Sequence, residues 1–212
     1  MKLSLVVIAG WLLLSTVGAQ AQPLFEISPQ YGYRFGGGFE TPDGQEVGIA
    51  DGRAYGLSFD YCPDRNAEEF SFDLGRASTV KLELLWSRQE SGFDLHGNGG
   101  VNHVGLTVDE FQIGGVLETT YGRFHPYITG LMGATLFGPQ GEDSEVRFSL
   151  SIGGGVKFFL FRNLALRADV RGFCTLVESD SAFISSGGVT IVRFSGSTIW
   201  QGEVSGGLTL AF

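Results

Sequence analysis

The stretch from Val146 to Phe158, VRFSLSIGGGVKF, alternates between two kinds of side chain along its length. One face carries Phe148, Leu150, Ile152, Val156 and Phe158, and the other carries Arg147, Ser149, Ser151, Gly153, Gly155 and Lys157. A period of two residues is that of a β-strand, because successive side chains of a strand point to opposite faces. The stretch therefore predicts a strand with one apolar face and one face of small and charged residues.

The same alternation recurs along the chain and predicts eight strands in a single all-β domain. The other seven segments are 30–39, 54–61, 80–89, 106–118, 124–137, 164–173 and 198–212. Glycine supplies 33 of the 212 residues, which disfavours helices, because glycine inside a helix costs about 1 kcal/mol relative to alanine. Aromatic residues make up 13% of the chain and charged residues only 17%, which excludes a disordered protein.

The predicted connections between strands alternate in length. Long ones, rich in Gly, Asp, Asn and Ser, cover 40–53, 90–105, 138–145 and 178–197, and short turns fall near 119–123 and 160–163. The connection 62–79 is the exception, because its place in the alternation calls for a short turn. Asp64 or Asn66 could cap a short helix there.

Residues 1–21 predict a secretory signal peptide that is removed after Ala21. Lys2 supplies the positive start, residues 5–17 are mostly apolar, and Ala19-Gln20-Ala21 matches a small-x-small cleavage sequence. The apolar run is shorter than the roughly 20 residues of a membrane-spanning helix. We therefore expect the folded domain over 22–212. Cys62 and Cys174 fall at opposite ends of the predicted structure, so no disulfide between them is expected.

Alternation alone does not decide which face of the strands points inward. A soluble barrel turns its apolar face inward, whereas a membrane barrel turns it outward into lipid. The polar face here combines small residues with charges of both signs, which suits a crowded interior better than a solvated surface. The predicted lumen charges are Arg34, Lys81, Arg147, Lys157, Arg167 and Arg171 against Asp60, Glu83, Glu118, Asp169 and Glu203.

Aromatic residues near the predicted strand ends also favour a membrane barrel. Tyr61, Trp86, Phe158, Trp200 and Phe212 fit interfacial aromatic girdles. We therefore predict an all-β fold, an eight-stranded antiparallel up-and-down transmembrane β-barrel, closed because an open edge in lipid leaves backbone groups unpaired. The interior of such a barrel is just wide enough for side chains. Its lumen charges nearly cancel, which predicts a network of ion pairs and no wide water-filled pore.

The chain resembles the small eight-stranded outer-membrane barrels of the OmpA/OmpX/OmpW type over residues 25–212. The resemblance is carried by the signal end at 19–21, by 84–89 (LLWSRQ), by Pro126-Tyr127, by 153–156 (GGGV) and by the terminal LTLAF at 208–212. It implies a bacterial outer-membrane location, with lipid and lipopolysaccharide around the barrel. In that family the barrel-assembly machinery reads a terminal phenylalanine with alternating apolar residues, and Leu208, Leu210 and Phe212 match this signal. The long connection 62–79 departs from the family pattern.

The sequence offers no catalytic constellation. Lipid A deacylases among such barrels resemble a strand-borne His-x-Ser with a nearby Glu. The residues two positions after His96, His103 and His125 are Asn98, Gly105 and Tyr127. The histidines are also spread too widely for a metal site. We therefore predict no catalytic residues, no metal ligands and no cofactor, and the net charge of −9 excludes nucleic acid as a partner.

These expectations lead to a non-enzymatic outer-membrane barrel with a structural or surface-contact role, exerted through long extracellular loops on an unidentified partner. Three alternatives stay open at this point: a narrow channel for small solutes, including apolar ones, a lipid A-modifying enzyme, and a secreted soluble barrel. The charged interior disfavours an apolar conduit, and the missing His-x-Ser disfavours the enzyme.

Overall fold

The computed structural model describes residues 23–40, 46–63, 78–97, 100–139, 144–176, 182–186, 189–193 and 198–212. These residues form twelve β-strands, of which eight close into one barrel. The barrel strands are β1 (Phe25–Phe35), β4 (Gly52–Tyr61), β5 (Ser78–Gly97), β6 (Gly100–Thr119), β7 (Phe124–Pro139), β8 (Glu145–Phe161), β9 (Leu164–Leu176) and β12 (Thr198–Ala211). Two small hairpins pair β2 (Gly38–Glu40) with β3 (Glu46–Gly48) and β10 (Ala182–Ser186) with β11 (Val189–Arg193).

The barrel strands pair antiparallel with their neighbours in chain order, and β1 closes the sheet against β12. A path perpendicular to the strands that leaves β1 at Phe25 returns to β1 at Phe35, ten residues further along. This shear means that the strands are tilted relative to the barrel axis. The prediction of an eight-stranded antiparallel barrel is confirmed, and the barrel has no open edge.

The start of β1 meets Phe212 at one end of the barrel, which we call the lower end. The backbone N–H of Phe212 donates to the carbonyl of Phe25 at 2.9 Å. The short turns 120–123 and 162–163 lie at this lower end, and so do the end of β4 and the start of β5. The opposite end is called the upper end, and the hairpins β2–β3 and β10–β11 interrupt its connections.

The outer surface of the barrel is a continuous apolar band. Ile152 is 73% exposed and Val170 is 61% exposed in the middle of their strands, although both are aliphatic. Burial of such side chains would stabilise a soluble protein, so their outward placement requires an apolar surrounding phase. The strand faces are therefore oriented as in a membrane barrel. Among the described residues, no helix is long and apolar enough to cross a membrane.

The predicted girdle aromatics lie on this outer surface toward both ends of the band. Tyr61, Phe158 and Phe212 lie near the lower end, where Phe25 stacks on Phe59 and Tyr61 with ring centroids 5.6 and 5.2 Å apart. Trp200 lies near the upper end and is 64% exposed. Trp86 was expected near a strand end but lies within β5, which continues to Gly97.

Several predicted boundaries were wrong. The first strand was expected over 30–39, but β1 covers Phe25–Phe35 and ends where Gly36 and Gly37 adopt φ of 76° and 102°. Residues 90–105 were expected to be a loop, yet β5 and β6 run through them, paired from Ser78 with Thr119 up to Gly97 with Gly100. Two strands that pair with each other beyond the membrane need no apolar face. The alternation of apolar and polar residues that marks the lower parts of β5 and β6 is therefore absent from 90–105. The helix considered at 64–69 lies outside the described residues.

Candidate functional site

Two lysines hold three carboxylates at the lower end of the lumen. Lys157 Nζ lies 2.9 Å from Asp60, 3.1 Å from Glu118, and also donates to Glu26. Lys81 Nζ lies 2.6 Å from Glu26 and 2.9 Å from Glu118. All five side chains are buried, so each charge depends on its partners rather than on water.

Two arginines continue this network toward the middle of the barrel. Arg167 contacts Asp60 at 3.5 Å, Glu83 at 3.0 Å and Asp169 at 2.9 Å. Arg171 lies 3.3 Å from Glu83 and 3.9 Å from Asp169. Because Asp60 contacts both Lys157 and Arg167, the lower and middle groups form one connected network.

Tyr127 joins the same network through its hydroxyl. It donates to Asp169 and accepts a 2.8 Å hydrogen bond from Arg167 Nε. Its ring lies under the Arg167 guanidinium, 4.9 Å from the centroid. Gly155 on the adjacent strand makes room for the ring, since a Cβ there would collide with the phenol and with a backbone carbonyl of β9. Gly155 therefore relieves crowding inside the barrel.

An apolar layer separates this network from a second, smaller one. Leu85, Leu131 and Phe173 form a buried cluster across the lumen. Above it, Arg34 donates to Glu203 at 2.9 Å, and its guanidinium lies 4.2 Å from the Phe173 ring centroid.

Glu110 also belongs to the upper network. Its Oε2 accepts hydrogen bonds from Thr135 at 2.9 Å and Ser149 at 3.0 Å. Its Oε1 lies 3.8 Å from Arg34 Nη1, and neither of these atoms has a hydrogen-bond partner among the described residues. The upper network therefore contains one base against two acids.

The two ends of the described lumen differ in character. Toward the upper end, Leu106, Val108, Phe137 and Ile199 are buried. At the lower mouth there is a cavity of about 140 Å³, bordered in part by Glu26, Lys81, Glu118 and His125. The described residues thus enclose a small cavity at one mouth, with two ion-pair networks and an apolar layer above it.

The structure places ten of the eleven predicted lumen charges in the barrel interior, where they are buried. Arg147 is half-buried near the upper end and pairs with Glu145 on its own strand. Sequence reasoning missed Glu26, because the first strand was expected to start later. It also missed Glu110, although the alternation that turned Gln112 and Glu118 inward extends to this residue.

His125 falls inside the predicted strand 124–137 but was given no place in the lumen, and the structure corrects this. It lies on the inward face of β7, and its Nδ1 is 3.0 Å from Glu118 Oε1. The sequence did not assign the neighbouring Tyr127 to either face, and the structure places it in the lumen. Both residues follow the period-two pattern of β7 once its inward face is known, but the pattern in this segment was too irregular to fix that face.

A third charged group lies on the outer surface near the upper end. Arg88 donates to both carboxylate oxygens of Asp109, at 2.7 and 2.8 Å, and the Trp86 indole N–H donates to the same carboxylate at 3.1 Å. The guanidinium fork is therefore occupied by a partner from the neighbouring strand. This pair lets two charges lie beside the apolar band without a net charge.

The described side chains form no catalytic arrangement around His125. Its second ring nitrogen, Nε2, contacts the carbonyl of Gly122 at 3.1 Å rather than a hydroxyl or thiol. No group of three or more His, Cys, Asp or Glu residues in the described part of the chain could hold a metal ion. Cys62 is buried, Cys174 is half-buried, and no disulfide joins them. The geometry therefore assembles ion pairs and hydrogen bonds rather than a nucleophile with its base.

Comparison with solved structures agrees with this architecture. Neisserial surface protein A matches with a TM-score of 0.55 at 12% identity, over 89% of this chain and 97% of that one. The fold is that of the small outer-membrane β-barrels. The outer-membrane protein OprG of Pseudomonas aeruginosa matches with a TM-score of 0.51 at 12% identity, over 92% of this chain and 99% of that one. No family model and no curated protein matches the sequence.

Proposed function

We propose that this chain is a non-enzymatic integral outer-membrane barrel with a closed lumen, and that it acts as a structural or surface-contact protein through its upper end. The observation that carries the proposal is the connected network of buried ion pairs. Lys157 and Arg167 each contact three carboxylates contributed by different strands. A lumen crossed in this way holds the strands together and leaves no open path for solutes.

The length of the β5–β6 hairpin supports a surface role. The pairing of β5 with β4 reaches Gln89, whereas its pairing with β6 continues to Gly97. Eight residues of extended chain correspond to about 26 Å. With the lower end facing the periplasm, this hairpin projects outward as a contact surface.

The environment of His125 supports the absence of enzymatic activity. Its Nδ1 and Nε2 both face oxygen acceptors, so the ring has no free nitrogen to activate a hydroxyl. Its neighbour Glu118 is engaged by two lysines. A general base would require a nitrogen lone pair that is not committed to structure.

The surrounding partners that we propose are outer-membrane lipid and lipopolysaccharide, together with the barrel-assembly machinery during biogenesis. Leu208, Leu210 and Phe212 lie on the outward face at the last strand and are exposed, which supports their role as an assembly signal. Arg88 is a weak candidate for a contact with lipopolysaccharide phosphates, because Asp109 already occupies its guanidinium.

A solute-flux experiment tests the closed lumen against the narrow-channel alternative. The protein is refolded in detergent, its folding is checked by heat-modifiable gel mobility, and it is reconstituted into liposomes. We expect liposomes in small sugars or amino acids to swell no faster than protein-free liposomes. Swelling above that background, from protein that passes the folding check, would make transport the function instead.

A further inference from the structure

The hydrogen bonds of His125 define its protonation state. Nδ1 faces Glu118 Oε1 at 3.0 Å, and Nε2 faces the carbonyl oxygen of Gly122 at 3.1 Å. A carbonyl can only accept, and an ionised carboxylate can only accept. A neutral imidazole carries one N–H, so either neutral tautomer would leave a nitrogen lone pair pointing at an oxygen. Rotating the ring by half a turn would place carbon atoms against both oxygens, so both contacts are satisfied only by the imidazolium.

The charge count of the network leads to the same state independently. Among the described residues, the connected network contains five acids and four permanent bases, which are Glu26, Asp60, Glu83, Glu118 and Asp169 against Lys81, Lys157, Arg167 and Arg171. All nine are buried. A buried excess charge is costly unless it is paired. One positive charge on His125, which touches the network through Glu118, brings the total to zero.

We propose that His125 is a proton-binding site at the lower mouth of the barrel, and that the closed form of this mouth requires the bound proton. The ring contacts Glu118 from β6 and lies opposite Lys157 from β8. Lys81 from β5 and Glu26 from β1 border the same cavity, and Asp60 from β4 is reached only through Lys157. The Phe159 ring packs on it with centroids 4.6 Å apart, and Arg123 in the turn is exposed. The 140 Å³ cavity that His125 borders gives protons a place to enter.

Loss of this proton has a defined structural consequence. The Nε2–Gly122 contact ties the side chain to the turn 120–123, and the Nδ1–Glu118 contact ties it to the end of β6. Without the proton, one of these contacts becomes repulsive and the network carries one unbalanced negative charge. The turn is then released from the lumen, which makes the lower mouth responsive to the pH of the compartment it faces.

Solution NMR of the folded protein tests the proposal directly. The two ring nitrogens have similar ¹⁵N shifts in an imidazolium and widely separated shifts in a neutral tautomer. A chain with the other two histidines replaced, His96→Asn and His103→Asn, isolates the signal of His125, and His125→Gln confirms its assignment. A histidine in water is about nine-tenths neutral at pH 7.5, one unit above its ordinary pKa of about 6.5.

We expect the folded barrel to show an imidazolium at pH 7.5, and the same chain unfolded in urea to show a neutral ring. A neutral ring in the folded wild-type sequence would overturn the proposal, whatever the variants do. Asp60→Asn removes the excess acid but touches neither hydrogen bond of the ring, and we expect it to lower the ratio of charged to neutral ring at least threefold. An unchanged ratio in a folded Asp60→Asn variant would refute the charge-balance argument. Glu118→Gln removes a contact as well, and we expect at least a tenfold decrease.

Discussion

Replacing Lys157 by methionine should destabilise the barrel more than any change on its outer surface. Lys157 Nζ contacts Asp60 at 2.9 Å, Glu118 at 3.1 Å and also Glu26, and all four side chains are buried. Methionine fills a similar volume, so packing is largely preserved and the charge is removed. Glu26 and Glu118 keep Lys81 as a partner.

The cost should fall mainly on Asp60. After the substitution, its remaining cation is Arg167 at 3.5 Å, and its Oδ1 already has no hydrogen-bond partner among the described residues. Removing one member of a buried ion pair typically costs 3–5 kcal/mol. We therefore expect Lys157→Met to lower the free energy of unfolding by about 3–5 kcal/mol. Adding Asp60→Asn should restore about 2 kcal/mol of this, because the uncompensated charge is removed with its partner.

The assay is equilibrium unfolding by urea in lipid vesicles, read by tryptophan fluorescence and by heat-modifiable gel mobility. Arg123→Met is the matched control, since it removes an exposed cation from a turn and should change the free energy of unfolding by less than about 0.5 kcal/mol. A loss below about 1 kcal/mol in Lys157→Met, or a double variant that is less stable than the single one, would refute the argument that these charges depend on one another.

Three further outcomes follow from the same structure. Gly155→Ala should lower the free energy of unfolding by about 1–3 kcal/mol, because the added methyl overpacks the lumen. Gly130→Ala is the control and should be neutral, because nothing lies within 4 Å of its added Cβ. Equal effects of the two substitutions in urea unfolding would contradict this reasoning. In lipid vesicles, Ile152→Arg should lower the free energy of unfolding by about 2–4 kcal/mol, and Val146→Arg near the upper end by about 0–1 kcal/mol. Equal costs at the two positions would mean that the apolar band does not face lipid. Arg88→Ala should leave lipopolysaccharide binding in a co-sedimentation assay unchanged, because its guanidinium is already paired, and a tenfold loss would show that the ion pair opens.

The strand pattern was readable from the sequence because two environments acted on it at once. Along 146–158, lipid selected Phe148 and Leu150 on one face, and the crowded lumen selected Ser149 and Lys157 on the other. Where only one of these environments acts, the pattern fails. The upper parts of β5 and β6 pair with each other beyond the apolar band, and nothing in their composition distinguished that hairpin from a loop.

The ion-pair partners could not be predicted from the sequence, although the inward charges could. Glu26 and Lys81 are 55 positions apart, and Glu26 and Lys157 are 131 apart. Which charges meet depends on the shear of the barrel, because this decides which inward positions share a level. His125 shows the same limit: only its register against Lys157 and its distance to Glu118 reveal that it belongs to the network.

The closed lumen is the central claim, and single-channel conductance in planar bilayers tests it most directly. Protein that shows heat-modifiable mobility after refolding should produce no stable openings, since we propose that the ion pairs and the apolar layer close the path between the two mouths. Reproducible openings of constant conductance from such protein would contradict the account, because they would mean that the network is open or mobile in the membrane.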